Sequence, residues 1–243
     1  MQLVARCCSC HLLAECDELL ARKMTRIAFL HTADNHAQTF GNLLQSLAPA
    51  VSQSHTVRAE WLVTARRTGL TDDLRSRIRT LLSDQAVEAD AVLCTCSTLG
   101  PVVDELRSSH SNLVRIDRPM MERATGHAGT VIIAYCLDST LQPTLELLRS
   151  ILREQSKDST ITPVSCSEAW PCFERGDMDG LAEEISHRVG QAVRAEADPG
   201  CVVLAQASMA VAEPLLSDLG VPVYSSPRLA VDAVLNAART ADG

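Results

Sequence analysis

Residues 90–106, "DAVLCTCSTLGPVVDEL", run from an apolar stretch through a turn of small and hydroxylated residues into an amphipathic segment. The same plan returns at 200–216, "GCVVLAQASMAVAEPLL", whose first residue lies 110 positions after Asp90. A short apolar run leading into a helical pattern reads as a buried strand followed by a crossover helix. Two such units in equivalent places point to a duplicated α/β architecture. In open α/β sheets ligands bind beyond the carboxyl ends of the strands, so both turns are where a site belongs.

The flanking chain fits this frame. "RIAFLHT" (26–32) reads as a first strand and "NLLQSLAPAV" (42–51) as a helix ending near Pro49. Residues 71–88 open with "TDD", a capping residue with acids in the first turn, and place Leu74, Ile78, Leu81 and Leu82 at helical spacing. Further strands are expected at 113–117, 129–136, 160–165, 201–206 and 221–225. Helices are expected after Asp138, where Leu141, Leu145, Leu148 and Leu152 mark a face, and over 178–195, from about Ala210 and from Pro227. Strands alternating with helices predict parallel sheets covered by helices.

Composition agrees. The 243 residues are 46% hydrophobic but only 3% aromatic, so the core must be built from Ala, Val, Leu and Ile, as suits buried parallel strands. With 22 basic and 30 acidic residues the net charge is −8, which offers no broad surface for phosphate backbones, and nucleic acid is not an expected partner. No run of 18 apolar residues occurs, so no membrane span is expected either. The ten cysteines lack the dense spacing of a small disulfide scaffold and read as reduced thiols in a cytoplasmic protein.

Four of them, Cys7, Cys8, Cys10 and Cys16, fall in residues 1–23 beside His11. They could be imagined as zinc ligands, yet a second ligand pair on a separate loop is missing, and no metal is expected. Glu15, Asp17 and Glu18 interrupt any signal-peptide core. Residues 1–23 are therefore expected to be an appendage, disordered or helical, with Met24 opening the domain proper.

Taken together, "FLHT" after the first strand, "DAVLCTCSTLGP", "CLDSTLQPT", "VVLAQASM" and "VPVYSSP" make the chain resemble the aspartate/glutamate/hydantoin racemase superfamily over about residues 24–240. That group includes cofactor-independent amino-acid racemases, arylmalonate decarboxylase and maleate isomerase. The resemblance implies two pseudo-symmetric α/β lobes, each a short parallel sheet flanked by helices, with the active-site cleft between them. Lobe 1 would span about 24–117 plus 224–243, and lobe 2 about 118–223. It also implies a small carboxylate substrate, no cofactor, and homo-oligomerisation by analogy. Racemases of this group use one cysteine on each lobe. Inverting a carbon next to a carboxylate needs a base on one face and an acid on the other, and the enolate-like charge can be met by preorganised donors.

On this plan Cys96 is the first thiol, just beyond the strand and before a helix starting near Leu99, whose N-terminus should favour the thiolate. Cys94 shares its face but lies deeper and reads as packing. Ser97 and Thr98 can bind a substrate carboxylate at the helix start, or simply cap it. The second lobe departs from the pattern: depending on register, Gln206 or Ala207 stands where a thiol is expected, and neither can abstract a proton. Cys201 belongs at the opposite end of its strand. Without a second thiol, the alternatives are a one-thiol decarboxylase of a malonate-type acid or a small-carboxylate binding protein. His31, Thr32, Ser139, Thr140, Ser208, Ser225 and Ser226 fall at carboxyl ends of strands and complete the candidate site. His31 is a candidate for the missing acid/base, or an ordinary hydrogen-bonded loop residue. His55, His110, His127 and His187 look scattered, and Met120 and Met121 read as filler of core or cleft.

Overall fold

The computed structural model describes residues 24–241. The cysteine-rich segment 1–23, and with it the appendage and zinc readings, lies outside the described residues. Within them, strands β1 (Arg26–His31), β2 (Ser52–Val57), β3 (Ala91–Cys94) and β4 (Leu113–Arg115) form one parallel sheet in the order β2-β1-β3-β4. Strands β5 (Thr130–Tyr135), β6 (Ile161–Ser165), β7 (Pro199–Leu204) and β8 (Val223–Ser225) form a second in the equivalent order β6-β5-β7-β8. The fold is thus α/β with two lobes of the same topology.

Helices cover both faces of each sheet. The first sheet carries α1 (Asp34–Leu47), α2 (Ala59–Thr68), α3 (Asp72–Glu88) and α4 (Gly100–Leu106); α5 (Arg118–Ala124) leads into the second lobe with α6 (Asp138–Glu154), α7 (Trp170–Glu174) and α8 (Met178–Ala195). The last helix, α9 (Ser226–Ala241), follows β8 of the second sheet and crosses back onto the first. Its Ala230, Val231, Val234 and Leu235 pack with Phe40 and Leu44 of α1 against Ile27, Phe29 and Leu93. Strand alternation sends Ala28, Leu30 and Val92 to the other face, against Leu74, Ile78 and Leu82 of α3. Met120 and Met121 are fully buried core residues of the second lobe, beside Val131, Ile133 and Leu148.

The structure departs from the sequence expectation at several places, among them the short helices α5 and α7, which were not expected. Helix α1 begins eight residues earlier than the apolar face at 42–51 suggests, because the largely polar stretch Asp34–Gln38 forms its first turns, with Asp34, Asn35 and Gln38 exposed. Strand β2, "SQSHTV", has no apolar run; it is a half-buried edge strand whose one strand neighbour is β1. Helix α2, over "AEWLVTARRT", was not expected at all, and it buries only Trp61 and Ala65. The segment after β7 is a 3₁₀ coil over Ala207–Leu216, interrupted by Pro214, in place of an α-helix. The capped start of α3 is as read: Thr71 Oγ1 accepts from the Leu74 amide at 3.4 Å.

Candidate active site

The two sheets present equivalent turns at their carboxyl ends. After β3 the amide of Thr95 donates to Leu30 O at 2.9 Å, and after β7 the amide of Ala205 donates to Ala134 O, also at 2.9 Å. The next residue in each turn, Cys96 or Gln206, is extended and precedes a 3₁₀ segment, Ser97–Leu99 or Ala207–Leu216. This registers Gln206, not Ala207, against Cys96. Gln206 Oε1 accepts from the amides of Cys136 and Leu137 at 2.7 and 3.0 Å, just ahead of α6, which leaves its NH2 group as the part available to a ligand.

Between these turns lies a small, partly open cavity of about 40 Å³, lined by residues of both lobes; as it stands it has room for a few water molecules. Among the candidate residues, Cys96, Thr32, Ser97, Thr98, Thr140, Gln206, Ala207 and Ser208 line it; His31, Ser139 and Ser226 do not. Ser97 Oγ donates to Ala205 O at 3.1 Å and Thr98 Oγ1 lies 3.4 Å from Thr140 Oγ1, so the turn after β3 also ties the lobes together. Ser226 is fully buried at the start of α9, with Oγ unpaired among the described residues. The lining also includes Leu62 of α2, Leu137, and Trp170 and Phe173 of α7. The Arg66 guanidinium sits 5.7 Å from the Trp170 ring and 3.7 Å from Glu174, joining α2 to α7.

Cys96 is 6% exposed. Burial pushes its thiol above the ordinary value, although the hydroxyls of Thr32 and Thr98 and the amides of Leu99 and Thr98 pull it back. This corrects the expectation that the helix N-terminus favours the thiolate: α4 has only seven residues, and loss of solvent outweighs it. Cys94, buried in the core with Leu30 and Val92, is pushed up to about 12 by burial and does not line the cavity.

His31 is fully buried and turned away from the cavity. Its Nδ1 is 2.8 Å from Thr95 Oγ1 and its Nε2 2.8 Å from His55 Nδ1; His55 Nε2 is in turn 3.0 Å from Gln53 Oε1. With both histidines neutral, His31 donates to His55 and His55 to Gln53, and the single Thr95 hydroxyl proton is shared between His31 Nδ1 and the Leu30 carbonyl, 3.1 Å away. His55 is therefore not scattered; it is the β2 neighbour of β1, stacked on Phe29 and His31.

The residue that sequence reasoning passed over is His36. It lies in the first turns of α1 and lines the cavity beside Thr32 and Ala33, and both its ring nitrogens are buried with no hydrogen-bond partner among the described residues. A helix start placed at 42 hid it; "ADNHAQ" read as part of α1 would have put His36 one turn from the end of β1.

Burial lowers the imidazolium of His31 from its ordinary 6.5 to about 3, with help from His55 and His36, and that of His36 to about 4; His55 is lowered for the same reason. The unfolded chain takes up these protons near pH 6.5 and the folded protein only near pH 3–4, so stability is lost as pH falls through this window. Between pH 7 and pH 5, His31 and His36 together should remove on the order of 3 kcal/mol. Urea unfolding at the two pH values measures it, and a double His31→Gln, His36→Gln variant should lose most of the dependence.

No family model matches the chain, and no curated protein matches it. Solved structures do. The aspartate racemase of Picrophilus torridus superposes with a TM-score of 0.64 at 14% identity, covering 88% of this chain and 94% of that one. A glutamate racemase of Bacillus anthracis gives a TM-score of 0.66 at 14% identity over 90% and 83%. An allantoin racemase of Klebsiella pneumoniae gives 0.53 at 18% identity over 89% and 88%. At these identities the likeness is one of fold: the chain has the two-lobed architecture of the racemases its motifs resemble.

Proposed function

We propose that the protein is a cofactor-independent enzyme of racemase type that transfers a proton at the carbon next to a carboxylate, with Cys96 as acid/base. The observation that carries this reading is the position of Cys96, at the carboxyl end of β3 in an inter-lobe cavity where hydroxyl and amide donors converge on its sulfur. A buried thiol starts as an acid, ready to deliver its proton to an enolate. Hydroxyls of Thr98, Thr140 and Ser208 and the amide of Gln206 are neutral donors for the substrate carboxylate and for the charge that builds on it. Among the described residues the lining holds no Lys, Arg, Asp or Glu and includes Leu62, Leu137, Trp170 and Phe173. This suits a small amino-acid-like or hydantoin-like molecule with an apolar substituent.

The protonated thiol and Gln206 at the second turn also favour a second reading, decarboxylation of a malonate-type acid, because protonating the enolate left by carbon dioxide takes a single acid. Incubation in deuterated water with a panel of amino acids, hydantoins and substituted malonates separates the two. Deuterium at the α-carbon with inversion is the expected result, and release of carbon dioxide supports the second reading. Binding without label or gas would leave only a carboxylate-binding protein.

A further inference from the structure

We propose that His36 is the second proton carrier of this site, working on the substrate face opposite Cys96 in place of the thiol that the second lobe lacks; the inference rests on the proton-transfer reading above. The topology supplies the first argument. Helices α1 and α6 occupy equivalent positions and begin at Asp34 and Asp138, so His36 is the counterpart of Thr140. Thr140 reaches from the second lobe to Thr98 of the Cys96 turn, at 3.4 Å. The pseudo-two-fold that equates Cys96 with Gln206 therefore assigns His36 to the side of the cavity closed by the Gln206 turn. The ring is indeed at the lobe boundary, with its centroid 6.4 Å from that of Phe173 on α7.

The second argument is the state of the side chain. Two ring nitrogens buried without partners forgo the hydrogen bonds they would make in water, and here they belong to a side chain that lines the cavity holding Cys96. A ligand supplies what the protein does not. His31, by contrast, has both nitrogens engaged and is closed off. The groups around His36 are the rings of Phe40, His31 and Phe173, none of which carries charge at neutral pH.

The third argument is complementarity. Burial keeps the imidazole of His36 unprotonated and the thiol of Cys96 protonated, so the resting cavity holds one base and one acid. The imidazole nitrogen takes the α-proton; the C–H bond breaks and its electron pair passes into the carboxylate as an enolate. The enolate pair then forms a new C–H bond on the other face with the proton of Cys96, whose S–H bond breaks to leave thiolate. Imidazolium and thiolate return to the neutral pair by proton transfer through water admitted as product leaves. The opposite enantiomer binds the imidazolium–thiolate form, reached from the neutral pair by the same proton transfer through water: the thiolate takes its α-proton and the imidazolium delivers the new one on the other face.

The full-length protein and its His36→Gln, His36→Asn and Cys96→Ser variants are incubated in deuterated water with the separated enantiomers of phenylglycine, 2-phenylpropionate and 5-phenylhydantoin, after circular dichroism has shown that each variant is folded. The expected result is that the wild type labels and inverts both enantiomers of a probe. Each His36 variant should then label only the enantiomer whose proton faces Cys96, with inversion reduced at least about 100-fold, and Cys96→Ser should label only the other. Inversion at the wild-type rate in His36→Gln would overturn the assignment, as would equal loss of labelling for both enantiomers, which would make His36 a binding or packing residue. If the wild type labels no probe while the cavity binds them, the proton-transfer reading fails first and His36 with it.

Discussion

Cys96→Ser should lower turnover by about 10³-fold or more while leaving the unfolding midpoint within a few degrees of the wild type. One well-placed acid or base is worth roughly 10²–10⁴ in rate, and a serine hydroxyl in the same pocket is a far weaker acid than a thiol. The fold should tolerate the change because the Cys96 sulfur faces hydroxyls of Thr32 and Thr98 as well as apolar neighbours. Cys94→Ser is the matched control. Two residues away on the same strand end, but packed in the core and outside the cavity, Cys94 should cost stability and spare turnover. Steady-state rates on any substrate that the wild type converts decide the point. A Cys96→Ser enzyme with full activity, or a Cys94→Ser enzyme that is folded and inactive, would contradict the assignment.

The largest stability effect is expected at Arg115, the buried anchor behind the Cys96 turn. Its side chain is 2% exposed and pairs bidentately with Asp117, itself 0% exposed, at 2.6 and 3.0 Å. The same guanidinium reaches Asp104 of α4 at 2.5 Å and the carbonyl of Pro143 on α6 at 2.9 Å, so it joins the base of the Cys96 turn to the second lobe. Gly100 is glycine for this reason: a Cβ there would overlap the guanidinium. Arg115→Met should cost about 3–5 kcal/mol, because it leaves the Asp117 carboxylate buried and unpaired. Arg115→Met combined with Asp117→Asn should recover part of that loss, since removing both charges avoids the isolated one. Urea denaturation of the single and double variants tests this, and a single variant within 1 kcal/mol of the wild type would show that the cluster carries little of the fold.

The parts of this account that could be read from sequence are those that local chemistry dictates. "AVLC" and "CVVL" are apolar because both faces of their strands are covered, and the small residues that follow them leave room for a cavity. Strand β2 escaped notice because an edge strand half-covered by its neighbour needs no apolar run, and with it went the pairing of His55 with His31. The start of α1 was hidden by its polar first turns, which kept His36 out of view. The register of Gln206 against Cys96 became clear only from matching backbone bonds at Leu30 and Ala134. The protonation of Cys96 depended on weighing a short helix against burial, and that balance is set by solvent exclusion rather than by any residue nearby in the chain.

The central claim is that Cys96 moves a proton at a carbon next to a carboxylate. The most direct measurement is the rate at which solvent deuterium enters that position, followed by mass spectrometry for the wild type and Cys96→Ser side by side on a substrate that the panel identifies. Label at the α-carbon is expected in the wild type and, in the variant, inversion lost and labelling confined to one enantiomer. Label entering both enantiomers at the wild-type rate without the thiol would contradict it.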